Sequence, residues 1–292
     1  MAGAGIKAIK TRMGTVESTK QITKAMELVA SSKLRKAKEK AEDSREYFNT
    51  LYNTVKDIAQ TTRGIRNEFL KEREVKNKCY VVVAGDRGLA GGYNSNILKE
   101  SVSHMKGKKE TVITVGKKSH EFFSKRNYNI VKDINSVEAC GYEDATEISQ
   151  TIIDLYKKGE VDEVYIAYTK FKSALSQEVE ILKLLPLVFE KDTDEQGMAV
   201  KEEKQNRSKV QYIPSAEAVL SYIVPQFISG TVYGGILESF ASEQGARRTA
   251  MESATDNANE MLSNLELSYN RARQSAVTQE ITEIVGGVEA LK

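Results

Sequence analysis

Apolar residues near the start of the chain recur at Ile6, Ile9, Met13, Val16, Ile22, Val29, Leu34 and Ala37, largely in steps of three and four, with polar residues between them. That rhythm puts one apolar stripe along a helix. The pattern continues to about Ile58, and Thr61-Thr62-Arg63-Gly64 supplies a glycine to close it. At ~1.5 Å per residue such a helix is roughly 85 to 90 Å long, about three times the diameter of a small domain. No single compact core covers it.

The other end repeats the rhythm. Met251, Ala254, Ala258, Leu262, Leu265, Tyr269, Ala272 and Ala276 step by 3, 4, 4, 3, 4, 3 and 4. This is a coiled-coil seam whose alanines let two helix axes approach closely. The chain has only 3 Pro in 292 residues, and none follows Pro225. A helix from about Ser215 to Val285 therefore spans roughly 105 Å. The economical arrangement is an antiparallel coiled coil of the two terminal helices, each burying the other's stripe; separate bundles need more apolar sequence than remains.

Ala218 to Leu237 form 20 positions without a charge, long enough to cross a bilayer. Pro225, Gln226, Gly230, Gly234 and Gly235, with Ser221, Ser229 and Thr231, make a poor span, so a helix buried in protein is expected. The first residues carry positive charge without an apolar signal core, and no secretory targeting is expected.

The middle reads differently. Cys79 to Ala84, Thr111 to Val115, Ile130 to Ile134, Val161 to Tyr168 and Glu178 to Leu184 have the β-branched content and length of strands. Asn94 to Met105, Lys117 to Arg126 and Glu143 to Lys158 read as helices between them. Such alternation predicts an α/β domain with a mainly parallel sheet. Glu190 to Lys209 reads as an exposed connection. The expected organisation is a coiled-coil helix over 1–62, an α/β domain over 76–212 and a second coiled-coil helix over 213–292.

The formal net charge of +2 excludes a uniformly basic nucleic-acid coat or an acidic disordered chain, but the ends differ. Residues 1–40 carry ten Lys or Arg against three Glu, and residues 241–292 carry five against eight Asp or Glu. Lys33, Arg35, Lys36, Lys38 and Lys40 lack the interleaved aromatics of a nucleic-acid surface. Cys79 and Cys140 are too few for a disulfide framework and are expected as buried thiols in a reducing cytoplasm.

The chemistry such an α/β fold often carries is missing. Gly85-Asp-Arg-Gly-Leu-Ala-Gly-Gly-Tyr93 follows the first strand, where a glycine loop holds phosphate in other folds. Its spacing matches neither G-x-G-x-x-G nor a P-loop, and backbone packing or a protein contact is the preferred reading over nucleotide binding. His104 and His120 lie in different predicted helices without ligand spacing and read as solvated helix histidines. No nucleophile elbow is present. The residues point to no catalytic group, cofactor or metal.

Three blocks carry a resemblance: Gln21-Ile-Thr-Lys-Ala-Met-Glu-Leu-Val-Ala-Ser-Ser-Lys-Leu-Arg35, Asp86-Arg-Gly-Leu-Ala-Gly-Gly92 and Ala272-Arg-Gln-Ser-Ala-Val-Thr-Gln-Glu-Ile-Thr-Glu-Ile-Val285. In order and along essentially the whole chain, they resemble the gamma subunits of bacterial F-type ATP synthases. The resemblance implies an antiparallel coiled coil with a Rossmann-like α/β domain at its foot. It implies a non-catalytic rotor shaft inside three alpha and three beta subunits, with its foot on the epsilon subunit and the membrane c-ring, peripheral at the cytoplasmic face of the cell membrane. Met26 matches a family position near the beta subunits' acidic loop. Arg247, Arg273, Gln274, Thr278 and Glu280 match positions implicated in stator contact, and Ile281, Ile284, Val285 and Val288 form an apolar tip expected in an apolar sleeve. Tyr212 matches a foot segment in which Ile213 replaces the family's acid, and Gly287-Val288 replaces the usual Gly-Ala. The coupling ion, H+ or Na+, is not encoded here, because its ligands belong to membrane subunits. A non-coupling coiled-coil scaffold and a nucleotide-binding α/β protein with helical arms are the alternatives.

Overall fold

The computed structural model describes residues 2–61, 67–71, 73–106, 110–173, 176–188 and 212–290. The helix closure expected at Gly64 and the connection expected over Glu190 to Lys209 fall outside them. Helix α1 runs Ala2–Thr61, and β1 (Lys78–Val83), α2 (Tyr93–His104), β2 (Thr111–Val115), α3 (Lys117–Ser124), β3 (Asn129–Ile134), α4 (Tyr142–Lys157), β4 (Glu163–Phe171) and β5 (Gln177–Leu185) follow. The last element, α5, runs Ala216–Ala290. The predicted strands and helices of the middle are all present, within a few residues of their expected ends.

The sheet order is β3-β2-β1-β4-β5. β1 to β4 pair in parallel, and β5 joins antiparallel at one edge. Alternation along the central strands sorts side chains onto two faces. Cys79, Val81, Val83, Val164 and Ile166 join one core with Val55 and Ile58 of α1, Ile148 and Ile152 of α4, and α5. Tyr80, Val82, Ala84 and Ala167 join the other, with Ile97 and Leu98 of α2 and Phe123 of α3. Both faces are covered, which is why β1 reads as an uninterrupted apolar run rather than alternating with polar residues.

The uncharged stretch of α5 belongs to the first core. Leu220, Val224, Ile228, Val232 and Ile236, spaced by four, are buried there, and no described helix is long and apolar enough to cross a membrane. Its glycines admit neighbours: a methyl at Gly230 would lie 2.4 Å from the Phe48 ring, and one at Gly235 would lie 3.0 Å from Ile166.

The chain forms two compact units, Met1–Ser32 with Arg247–Lys292, and Lys33–Ala246. Within the larger, α1 and α5 are antiparallel: Leu34 and Ala37 cluster with Ala241, Phe48 meets Tyr233, and Tyr52 meets Phe227. Within the smaller, Thr23 and Thr255 share a buried hydrogen bond of 2.8 Å. The expected α5 seam is correct, since Met251 and Ala258 are buried and Ala254, Leu262, Leu265, Tyr269, Ala272 and Ala276 are half-buried. The α1 stripe needs correction. Ile22 and Val29 are 60% and 55% exposed, and the inward path passes through Val16, Lys20, Thr23, Met26 and Ala30. The step of six from Val16 to Ile22 leaves the 3.6-residue phase and the step of seven to Val29 keeps that offset, and a threonine and an alanine hold the seam instead.

Candidate functional site

A doubly wound sheet offers a ligand crevice where strand order reverses, at the carboxyl ends of the two strands that diverge. Here that place lies between β1 and β4, and the Gly85–Tyr93 loop leaves it. It is filled by α5. The Thr169 amide donates to Ser239 Oγ at 2.9 Å, and Ser242 Oγ donates to the Thr169 carbonyl at 2.9 Å. A methyl at Gly85 would lie 2.8 Å from Glu243 Cδ and Oε1. The buried Glu243 side chain thus fills the position a phosphate takes in such folds and leaves no room for an anion there. The loop itself is held by protein groups. The Gly85 amide donates to Asn94 Oδ1 at 2.8 Å, Asn94 Nδ2 donates to the Arg87 carbonyl at 3.1 Å, and Ser136 Oγ donates to Asp86 Oδ2 at 2.8 Å. Packing is tight at Gly85 and Gly92, while Gly88 and Gly91 face open space.

The residues singled out for partner contact divide between the two units. Met26 is half-buried in α1 and Arg247 is buried in α5, so both belong partly to the packing of the smaller unit. Arg273, Gln274, Thr278 and Glu280 are exposed on α5. At ~100° per residue, Arg273 and Glu280 share one side of the helix and Gln274 and Thr278 lie roughly 100 to 140° away, both clear of the Ala272–Ala276 seam. Thr278 Oγ1 donates to the Gln274 carbonyl at 2.9 Å, and a shallow polar depression runs over Arg271, Gln274, Ser275, Thr278, Gln279 and Thr282. Ile281, Ile284 and Val285 are 57%, 67% and 57% exposed. With Thr23 opposite Thr255 and α1 starting at Ala2, α1 ends opposite about residue 276 of α5, so among the described residues of the unit these apolar side chains lie beyond the end of α1. The side chain of Val288 lies outside the described residues. Tyr212, in the other unit, packs half-buried against the first core.

Sequence reasoning missed three features. Ile22 and Val29 lie exposed on one side of α1, detectable from the phase break at Ile22, and Leu28 is exposed on another side. At the amino ends of β1 and β4, Glu163 is bonded by Lys183 at 2.7 Å, Lys78 at 3.0 Å and Tyr165 Oη at 2.8 Å. The serines of α5 gave no signal, being ordinary small residues of a helix.

Both histidines lie on helices as expected and keep contact with water, His104 being exposed and the His120 side chain 45% exposed, with one close neighbour each. Tyr80 Oη is 2.9 Å from His104 Nδ1, and His120 Nδ1 is 3.2 Å from Asp133 Oδ1. Burial, with Lys78 and Lys106 nearby, lowers the His104 pKa. Cys79 is buried as expected, but Cys140 is only partly so. Burial pushes both thiols up to about 12, with Asp144 and Asp86 adding to the shift at Cys140, which leaves neither a reactive thiolate. Among the described residues no cluster of His, Cys, Asp or Glu has the geometry of a metal site.

The family described as ATP synthase matches residues 5–291. The ATP synthase gamma chain of Alkaliphilus metalliredigens is 47% identical over 292 residues, covering 99% of this chain and 100% of that protein. This chain belongs to the ATP synthase gamma family. A second member, the sodium ion specific ATP synthase gamma chain of Acetobacterium woodii, is 47% identical over 297 residues and covers 98% of both chains. The family fold is also that of solved structures. A chain of the Euglena gracilis mitochondrial ATP synthase matches with a TM-score of 0.67 at 18% identity, over 99% of this chain and 95% of that one. A chain of the Tetrahymena thermophila mitochondrial ATP synthase, solved as central stalk and c-ring, matches with a TM-score of 0.60 at 22% identity, over 80% and 99%. The Rossmann-like architecture and the paired terminal helices are thus the gamma-family fold.

Proposed function

We infer that the chain is the central-stalk rotor of an F-type ATP synthase, coupling ion flow through a membrane c-ring to ATP synthesis or hydrolysis in a head of three alpha and three beta subunits. The observation that carries this reading is the full-length match to gamma chains, joined to a C-terminal helix whose apolar tip extends past its partner helix. In this reading residues 1–62 and 213–292 form the shaft and 76–212 the foot, which rests on the epsilon subunit and the c-ring. The chain is non-catalytic, and the reaction takes place on the beta subunits. It lies peripherally at the cytoplasmic face of the membrane, and the coupling ion is selected by ligands in the membrane subunits.

Each orientation of an asymmetric shaft offers different contacts to three otherwise equal stator subunits, and only such differential interaction shifts their conformational populations. Arg273 and Gln274 supply directional hydrogen bonds that favour particular angles, each about 1 to 3 kcal/mol where charge takes part. Met26, Arg247, Thr278 and Glu280 complete the contact set, and Tyr212 lies at the foot. Ile281, Ile284 and Val285 fit an apolar sleeve, where non-directional contact offers little resistance to turning.

The test is a complex purified with its native partners. One copy of this chain with three alpha, three beta and one epsilon subunit is expected by mass. Removal of Ala272 to Lys292 is expected to reduce ATP-driven ion pumping more than assembly. Pumping unchanged by that truncation, or a chain found free of these partners, refutes the rotor reading. The nucleotide-binding alternative requires the isolated chain to bind ATP at the loop that Glu243 crowds.

A further inference from the structure

The rotor reading requires twist to pass between α5 and the α/β body, and most of what joins them cannot resist it. Leu220, Val224, Ile228, Val232 and Ile236 meet the sheet through apolar contact, which is non-directional and yields to rotation of a helix about its own axis. Resistance to twist needs bonds with preferred angles.

We propose that Ser239 and Ser242 of α5, gripping the Thr169 peptide at the end of β4, form the joint that locks the shaft helix to the α/β body against rotation. Beyond Ala167, β4 has no β1 residue beside it, because the β1–β4 register ends at Val82 and Ala167. The amide and carbonyl of Thr169 on that side therefore lack a strand partner, and two serines three positions apart on one helix satisfy both. Ser239 and Ser242 are fully buried and Thr169 is 3% exposed, so water does not compete. A turn of about 10° about the α5 axis moves a side-chain oxygen ~5 Å off axis by about 1 Å, enough to break either bond. Glu243, one position on, wedges against Gly85 at the end of β1 and blocks slip toward the other strand. The crevice that holds ligands in related architectures serves here as a socket for the chain's own helix.

Two further directional links between α5 and the body back the joint: Ser149 Oγ donates to the Pro225 carbonyl at 3.1 Å, and Asn67 Nδ2 donates to Ser221 Oγ at 3.2 Å. The proposal rests on the rotor reading, and its test uses the whole ATP synthase complex. The head is immobilised, and a bead is attached through Lys125→Cys in a Cys140→Ser background. Angular fluctuations are then recorded with the rotor stalled. Parallel links add their stiffness, so losing two of these four bonds in Ser239→Ala/Ser242→Ala is expected to raise the angular variance about twofold, at unchanged head ATPase. Amide exchange at Thr169 is expected to quicken about fivefold for the lost bond. Ser268→Ala, on the exposed part of α5, is expected to keep the wild-type variance.

A wild-type variance in the assembled, ATP-hydrolysing double variant overturns the joint while leaving the rotor reading intact. If the double variant does not assemble, Ser242→Ala alone decides, because it keeps the Thr169 amide bonded: broadening supports the joint and wild-type width refutes it. A role in folding alone lowers the yield of complex without altering the width in complexes that form. A wild-type complex that does not turn refutes the rotor reading, and the joint's function with it.

Discussion

Glu163 offers a quantitative test of the forces holding the α/β body. It opens β4 beside Lys78 of β1 and is 8% exposed. Burial by itself raises a carboxyl pKa, but hydrogen bonds from Lys183, Lys78 and Tyr165 outweigh it and hold Glu163 at about 2, against an ordinary 4.5. A gap of that size corresponds to about 3 kcal/mol of preference for the folded carboxylate. The side chains of Lys78 and Lys183 are 30% and 31% exposed, and screening reduces the contribution to about 2 kcal/mol. Because the folded pKa is depressed, this stability is present above the unfolded value of 4.5 and is lost as pH falls towards about 2. Glu163→Gln is therefore expected to cost about 2 kcal/mol near neutral pH, and the gap between wild type and variant is expected to shrink by more than half between about pH 6 and about pH 3. The chain contains no Trp, so urea unfolding of the full-length protein is followed by near-ultraviolet circular dichroism of its tyrosines. Tyr80 and Tyr165 stack at 5.1 Å beside Glu163 and report locally. A gap that stays constant across that range refutes the account, because the network then contributes nothing through charge.

Three other outcomes are expected. Gly116→Ala places a methyl 1.9 Å from the Ala84 carbonyl oxygen at a φ of +90°, so it is expected to destabilise the full chain by about 3 kcal/mol or more in denaturant unfolding; a cost below about 1 kcal/mol contradicts the geometry. Thr23→Val and Thr255→Val each remove the shared bond while the remaining hydroxyl still donates to a backbone carbonyl of its own helix, so each is expected to cost about 0.5 to 1.5 kcal/mol alone and the double substitution less than their sum; simple additivity in thermal unfolding refutes the coupling. Arg273→Ala/Gln274→Ala, both exposed, is expected to change the chain's own stability by less than about 0.5 kcal/mol while lowering ATP-driven ion pumping in the assembled complex. A large loss of stability instead assigns these residues to folding.

The two ends of the chain and its middle were legible for different reasons. The α5 seam from Met251 to Ala276 keeps an unbroken three-four rhythm, so its inward face follows from helix geometry alone. Cys79 to Val83 form an apolar run of the kind a central parallel strand needs, and β1 lies there. The α1 stripe is interrupted at Ile22 and Val29, because their apolar identity points inward while the helical phase turns them to solvent. At the candidate site, Arg273, Gln274, Thr278 and Glu280 were found through motif blocks, and their exposure is set by their phase relative to the seam.

Periodicity, charge and breaker residues by themselves determined the elements: two long helices, four parallel-type strands, one further strand and the helices between them. A periodicity states which face of an element is apolar but not what covers it. Tertiary structure alone decided that β4 lies beside β1, that the uncharged stretch of α5 is sandwiched in a core, and that Ser239 and Ser242 reach Thr169 some 70 and 73 positions earlier in the chain. The physical reason is the range of the forces. Helix and strand preferences act between residues a few positions apart, whereas the plugging of the β1–β4 crevice depends on hydrogen-bonding groups that meet only after the sheet has formed and left a peptide without a strand partner.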